Sequence, residues 1–270
     1  MMKIIHTGDR STSHISNAAT TGTAAVAQVI LAALAILSSG AAISATTAGR
    51  IPLNTASTAG YPVFNTPENC SVEADVIIDF SHPSSLKNVL SFAKSRNIPA
   101  VICTTGLSED DKAMMATFAA DIPVFFSANM SIGVSLLAEL ARKAASVLGN
   151  DFDVEIIEKH HNQKVDAPSG TALMLADAVK DGLSYEPTYV YERQSKREKR
   201  DPHEIGISAI RGGTIVGEHD ILFCGRDEVI TLSHHAASKE LFAVGAINAA
   251  LFLCGKPAGM YNMRDFVSAV

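Results

Sequence analysis

With 270 residues and 47% hydrophobic content, the chain can fill one large core or two modest ones, which excludes a disordered or wholly polar protein. Its net charge of −6 and pI of 5.8 come without a basic stripe, so a nucleic-acid partner would lack its electrostatic footprint. Four cysteines, Cys70, Cys103, Cys224 and Cys254, are widely spaced without CxxC pairing, and are expected as buried thiols of a cytoplasmic protein. The opening "MMKIIHTGDR" has too few apolar residues for a signal-peptide core, so export is not expected.

"KIIHTG" reads as a first strand. Residues 11–60 are biased, with 33 of 50 being Ala, Ser, Thr or Gly and Arg50 the only charged one. Their uncharged run "TAAVAQVILAALAILSSGAAISA" is long enough to raise a membrane span, but small residues give weak hydropathy and no basic cluster or aromatic belt flanks it. The spacing of Val26, Ile30, Leu34 and Leu37 predicts instead a buried helix packed on a sheet. "ADVIIDFS" (74–81) predicts a strand buried on both faces, and "SSLKNVLSFAKSRN" (84–97) an amphipathic helix beginning at serine. Strand, acidic-led helix and strand follow at 99–106, 108–121 and 122–129. This alternation predicts parallel strands with right-handed crossovers, hence a doubly wound α/β sheet.

A long helix is expected over 133–149. Beyond it, 153–160, 204–213, 214–225 and 227–236 alternate apolar with polar residues between Gly-rich turns, predicting a second, mostly antiparallel or mixed sheet with one open or interface face. The charged run "ERQSKREKRDPHE" (192–204) mixes both signs and reads as a solvated loop. A helix returns over 238–259. The expected division is a dinucleotide-binding domain of residues 1–130 and 237–270, with a substrate-binding and oligomerisation domain of 131–236 between its parts.

The chemistry concentrates in "EKHHNQKVDAPSGTALMLAD". Neighbouring histidines on an extended chain point to opposite faces, so His160 and His161 are not placed as a chelate; without HExxH or CxxC spacing, no metal site is expected. Ser169 is placed to cap the helix that follows. Gly170 and Thr171 would then leave backbone N–H groups at the positive end of that helix, open to a carboxylate or phosphate. With Lys164 and the histidines just upstream, the stretch reads as a site that binds an acid and hands it a proton. An ordinary capped helix after a solvated lysine explains Ser169 and Gly170 but not this clustering.

These residues, E-x-H-H-x-x-K-x-D-A-P-S-G-T-A, resemble the substrate-domain signature of the dihydrodipicolinate reductase family. "VIIDFSHP", "TTGLS", "FFSANMSIGV", "IRGGTIVGEH" and "FAVGAINAALFL" extend the resemblance from Ala74 towards the C-terminus. It implies a Rossmann-like nucleotide domain, a homotetramer formed through the second sheet, and reduction by NADPH or NADH of a cyclic dicarboxylate to tetrahydrodipicolinate in lysine and diaminopimelate biosynthesis. By the same resemblance His160 is the catalytic acid and Lys164 its companion, while His161, Lys164, Ser169, Gly170 and Thr171 hold the substrate carboxylates. Thr104, Thr105, Gly106, Ser127, Ala128 and Asn129 would line the nicotinamide side of the nucleotide crevice, at the carboxyl ends of two strands.

The N-terminal text departs from that family. Gly8 could open the expected G-x-x-G-x-x-G turn, but "DRSTSHISNAATTG" lacks the later glycines, and no Asp or Glu stands between Asp9 and Glu68 to read a ribose. Three accounts stay open: an inactive relative that binds a dicarboxylate but no nicotinamide; an altered loop in which Arg10, Thr12 and Ser13 meet phosphate; or a first 60 residues that do not represent the natural sequence. The completeness of the distal motif favours the third.

Overall fold

A computed structural model describes residues 2–5, 69–70 and 74–269, the first four by backbone alone. Gly8 and the expected Ala-rich helix lie outside the described residues. The chain divides into two compact units, Met1–Met130 with Glu240–Val270, and Ser131–Lys239.

The first unit is built on a five-stranded sheet. Its strands are β1 (Met2–Ile5), β2 (Val76–Asp79), β3 (Ala100–Ile102), β4 (Pro123–Phe126) and β10 (Gly259–Tyr261), in the order β1-β2-β3-β4-β10. β2, β3, β4 and β10 are parallel, as the alternation of strands and helices requires. β1 instead pairs antiparallel to β2, Met2 opposite Asp79. Four residues carry no signal of direction, so only the pairing decides it.

Successive residues of a strand face opposite sides, and both sides here are apolar. Ile77, Ala100, Ile102 and Val124 share one buried cluster with Leu86, Val89, Leu90 and Phe92 of α1 (Leu86–Arg96) and Met115 and Ala119 of α2 (Glu109–Ala119). α5 (Glu240–Leu253) packs against β2, β3 and β4, and its Phe252 meets Phe125 edge-on at 6.2 Å. Small residues let α5 approach closely. A Cβ added to Gly245 would lie 1.6 Å from the carbonyl oxygen of Met130.

The expected helix boundaries have local causes. Ser108 and Asp111 form a capping box at the start of α2, each side chain bonding the other's backbone N–H. Asn97 ends α1 in the left-handed conformation, φ 52°. The serine expected to start α1 makes no side-chain cap; His82 accepts from the Ser84 N–H over a preceding 3₁₀ turn, Pro83–Ser85. The short strands β10 and β6 (Thr188–Val190), and the closing helix α6 (Met263–Ala269), escaped the periodicity reading because three to seven residues are too few to show a period.

The second unit carries a mixed sheet of order β6-β7-β5-β8-β9. Its other strands are β5 (Asp153–His160), β7 (Glu204–Arg211), β8 (Gly217–Cys224) and β9 (Val229–Ala236). β5 runs parallel to β7 and antiparallel to β8, β6 is parallel to β7, and β9 antiparallel to β8. One face is covered by α3 (Ile132–Leu148) and α4 (Gly170–Lys180), whose Val134, Leu137, Ala141, Leu175 and Val179 pack on Val154, Ile156, Ile205, Ile221 and Phe223. The other face carries a charged group in which Lys159 Nζ lies 3.1 Å from Glu218 and 3.2 Å from Asp220.

Two expectations are corrected. The run 192–204 is not simply solvated: Arg193 donates to Glu155 and Glu204, and Arg200 donates to Asp153, to Glu155 and to the carbonyls of Val154 and Glu204. Glu204 is buried, and a buried carboxylate requires such donors. Gly206 leaves the room this network needs, since a Cβ there would meet the Glu155 carboxylate at 1.8 Å. All four cysteines are free, but only Cys70 and Cys103 are buried; Cys224 is half-buried and Cys254 exposed. Among the described residues, no helix is long and apolar enough to cross a membrane.

Candidate active site

The face of β5 that packs on α3 and α4 changes character along its length. Val154 and Ile156 belong to the core, and the next two residues with the same orientation are Glu158 and His160, both buried. Apolar packing thus leads into a polar pocket floor. Register supplies its partners: β7 sets Arg211 beside His160, and β8 sets His219 opposite Glu158.

Glu158 has no exposure, and both its oxygens are saturated. Oε1 accepts from Arg211 Nη2 at 2.7 Å and from the Ser169 N–H at 3.0 Å; Oε2 accepts from Arg211 Nη1 at 2.8 Å and lies 2.6 Å from His160 Nδ1. Burial pushes the carboxyl pKa up, but the bonds from Arg211, His160 and the Ser169 N–H outweigh it, so the group is held below its usual range as an anion. A fork-to-fork guanidinium pair is the strong geometry for holding a buried carboxylate.

Ser169 caps α4 as expected, its Oγ accepting from the Ala172 N–H at 3.1 Å. The same hydroxyl lies 3.0 Å from His219 Nε2, and Ser169 is buried. Its side chain is therefore engaged inside the protein, with the Ala172 N–H and His219 as its partners. Gly170 is exposed at the helix start with nothing within 4 Å of where a Cβ would stand, and Thr171 is half-buried beside it. The Gly170 backbone N–H bonds the Asp166 carboxylate, so an acidic group already sits at the positive end of α4. Lys164, half-buried, pairs with Asp166 at 2.8 Å, and that pairing lowers the Asp166 pKa. His161 is half-buried just beyond the end of β5.

His219 is forced neutral. Burial first, then the neighbouring charge of His160, lower its pKa from 6.5 to about 4, and its Nδ1 is buried without a partner. The unfolded chain binds a proton near pH 6.5 that the folded chain refuses until about pH 4, so stability falls as pH drops through that window. At about 1.4 kcal/mol per pH unit, lowering pH from 7 to 5 costs about 2 kcal/mol through this residue alone. Urea unfolding of wild type and His219→Gln at both pH values should show the variant losing that much less. Equal losses in the two proteins would remove His219 as the cause.

In the first unit, the carboxyl ends of β3 and β4 present the residues expected to line a nicotinamide. Thr105, Gly106 and Ala128 are exposed, and Ser127 and Asn129 half-buried. Gly106 has φ +74° with open space around it, as a close backbone approach to a ligand needs. The Ser127 hydroxyl turns back to the Asn129 carbonyl at 2.6 Å, closing the loop on itself. Thr104 is corrected: it is buried, and its hydroxyl donates to the fully buried Asp79 at 2.9 Å. A buried carboxylate must be satisfied, so Thr104 supports the loop from below rather than facing a ligand.

Sequence reasoning quoted Glu158, Arg211 and His219 without giving them a part. The signal for Glu158 was available, because period two puts an acid on the buried face two residues before His160. Arg211 and His219 carried none, since their nearness depends on strand register.

The family model for the N-terminus of dihydrodipicolinate reductase matches residues 19–130, and that for its C-terminus matches residues 133–267. Similarity thus begins well before Ala74, where the quoted motifs begin. The 4-hydroxy-tetrahydrodipicolinate reductase of Caldanaerobacter subterraneus subsp. tengcongensis is 52% identical over 207 residues, 77% of this chain and 82% of that one. That of Clostridium tetani is 51% identical over 203 residues, covering 75% and 79%. Among solved structures, dipicolinate-bound dihydrodipicolinate reductase from Paenisporosarcina sp. TG-14 aligns with a TM-score of 0.58 and 26% identity over 70% of this chain and 72% of that one. Two family models that between them span nearly all of both units, together with relatives at half identity, show that the chain belongs to the dihydrodipicolinate reductase family.

Proposed function

We propose that the protein is the NAD(P)H-dependent oxidoreductase that reduces 4-hydroxy-tetrahydrodipicolinate to tetrahydrodipicolinate in lysine and diaminopimelate biosynthesis. The observation that carries this reading is a buried histidine held by a carboxylate, a few residues before a lysine and a helix start that already receives an acidic side chain, within a chain whose relatives bear that enzyme's name. Binding of dipicolinate by the Paenisporosarcina relative supports a cyclic dicarboxylate as the ligand.

In this reading the first unit binds the nucleotide, and Thr105, Gly106 and the Ser127–Asn129 turn suit its nicotinamide and ribose. When bound, the reduced nicotinamide supplies a hydride to the substrate ring. The residues of this chain do the rest. The Gly170 and Thr171 N–H groups at the start of α4, with Lys164 and His161, hold the two carboxylates. Lys164 meets the substrate by exchanging its Asp166 partner for a substrate carboxylate, and so adds no uncompensated charge. Loss of water from the 4-hydroxyl substrate creates the ring double bond; His160 then delivers a proton to the ring carbon next to the one that takes the hydride, so that one hydride and one proton together saturate that bond. A homotetramer assembled through the open face of the second sheet, in the cytoplasm, belongs to the same reading; sedimentation of the purified protein as a monomer would remove the tetramer.

The test is oxidation of NADH and NADPH by the purified protein, with substrate made in place by a synthase acting on pyruvate and aspartate semialdehyde. Loss of reduced-cofactor absorbance should require both proteins, and the faster cofactor reports the preference. No oxidation of either by folded protein would leave a dicarboxylate-binding protein without reductase activity.

A further inference from the structure

We infer that Glu158, clamped by Arg211, is a positioning residue that fixes the tautomer and aim of His160, making Nε2 the nitrogen that faces substrate. The inference rests on the proposed reductase reading for what His160 does, but its geometry stands apart from that reading.

An ionised carboxylate accepts about four hydrogen bonds and donates none. Glu158 makes four, two from Arg211, one from the Ser169 N–H and one with His160 Nδ1. Because the carboxylate has no proton to give, the proton in the 2.6 Å contact belongs to His160 Nδ1. The arrangement cannot slide: Arg211 grips both oxygens, its Nη2 also donates to the Asp166 carbonyl at 2.6 Å, and Glu158 itself is fully buried. His160 is held in turn by an edge-on contact with the His219 ring at 5.2 Å.

Nε2 is thereby left as the working atom. It has no hydrogen-bond partner among the described residues, and the backbone in front of it is Gly217, where an added Cβ would stand 3.1 Å from Nε2. The missing side chain keeps that nitrogen accessible. Arg211 has a second consequence, since the carboxylate it neutralises can hold the imidazole in place without presenting a bare negative charge to a dianionic substrate. A histidine ring anchored through one nitrogen delivers a proton through the other in one direction, which is the orientation a general acid needs.

The test combines turnover with long-range proton–nitrogen NMR of histidine-labelled protein, the His160 signals being assigned by their loss in His160→Ala. The neutral imidazole of wild type should carry its proton on Nδ1, the Nε2 proton being gained only in the acid form, and the neutral imidazole of Glu158→Gln should show a mixture of the two tautomers. Turnover of Glu158→Gln should fall about 10- to 100-fold with KM little changed, below the about 10²–10⁴-fold range of a positioned acid. Glu158→Asp, which keeps the charge but withdraws it, should recover part of the loss. In a His160→Ala background, Glu158→Gln should cost little more, because a residue acting through another is not additive with it. Additive losses, or a neutral wild-type imidazole that carries its proton on Nε2 instead of Nδ1, would overturn the inference. Should Glu158→Gln fail to fold with Arg211 unpaired, Glu158→Gln/Arg211→Gln removes the stranded charge, and the wild-type tautomer still decides. A wild type with no reductase activity would refute the proposed function while leaving the NMR result to judge the geometry; an active enzyme indifferent to Glu158→Gln would refute the positioning alone.

Discussion

Replacement of His160 by alanine is expected to lower kcat by about 10²–10⁴-fold, the range a positioned general acid contributes. Affinity for dipicolinate should change far less. The asymmetry follows from the site: His160 is buried and bonded to Glu158, whereas the groups proposed to hold carboxylates are Lys164, His161 and the start of α4. The fold should survive the change, because Glu158 keeps both Arg211 bonds and the Ser169 N–H. Lys164→Ala should damage both turnover and binding, since it removes a carboxylate partner as well as a cation beside the transferred proton. Steady-state kinetics and calorimetric titration with dipicolinate on the same preparations separate the two effects. Slight and equal losses of turnover in both variants would dismiss the assignments.

Among the described glycines of the first unit, Gly245 is expected to be the position where an added methyl group does most damage. The new Cβ would stand 1.6 Å from the Met130 carbonyl oxygen and 2.8 Å from its carbon. These are backbone atoms, so no rotamer change relieves the overlap. α5 must lift from β2, β3 and β4, exposing the side of the sheet that holds Phe125. Overpacking a core ordinarily costs about 1–3 kcal/mol and occasionally more; a backbone overlap places this change at the upper end, about 3 kcal/mol or beyond. Urea unfolding followed by circular dichroism measures it, and a loss under about 1 kcal/mol would show that α5 is seated more loosely than the structure has it. Gly106→Ala makes a useful contrast, since open space surrounds that position and only its positive φ resists a side chain.

Much of the second unit was legible in the sequence because its signals are local. β5 spans the residues read as a strand, Asp153–His160, since period-two alternation survives in any context that buries one face. Ser169 caps α4, as Ser108 caps α2 in the first unit, because a serine before a helical run bonds backbone only three residues away. Other readings failed for non-local reasons. Thr104 looks like a ligand-binding residue at the end of a strand, but Asp79, 25 residues earlier, takes its hydroxyl. The mixed-charge run 192–204 looks solvated, but Arg193 reaches Glu155, 38 residues away, across a sheet.

The sequence by itself determined the α/β class, the order and bounds of most long elements, the motif around His160 and Lys164, and through that motif the family. Each depends on residues close together along the chain, where periodicity, capping and spacing act. Only the tertiary structure decided that β1 runs against β2, that Thr104 and Ser169 turn inward, and that Arg211 and His219 gather around Glu158. Those outcomes follow from strand register, which is settled by burying whole faces at once: one step of slip would turn Glu158 and His160 outward to the opposite face of the sheet.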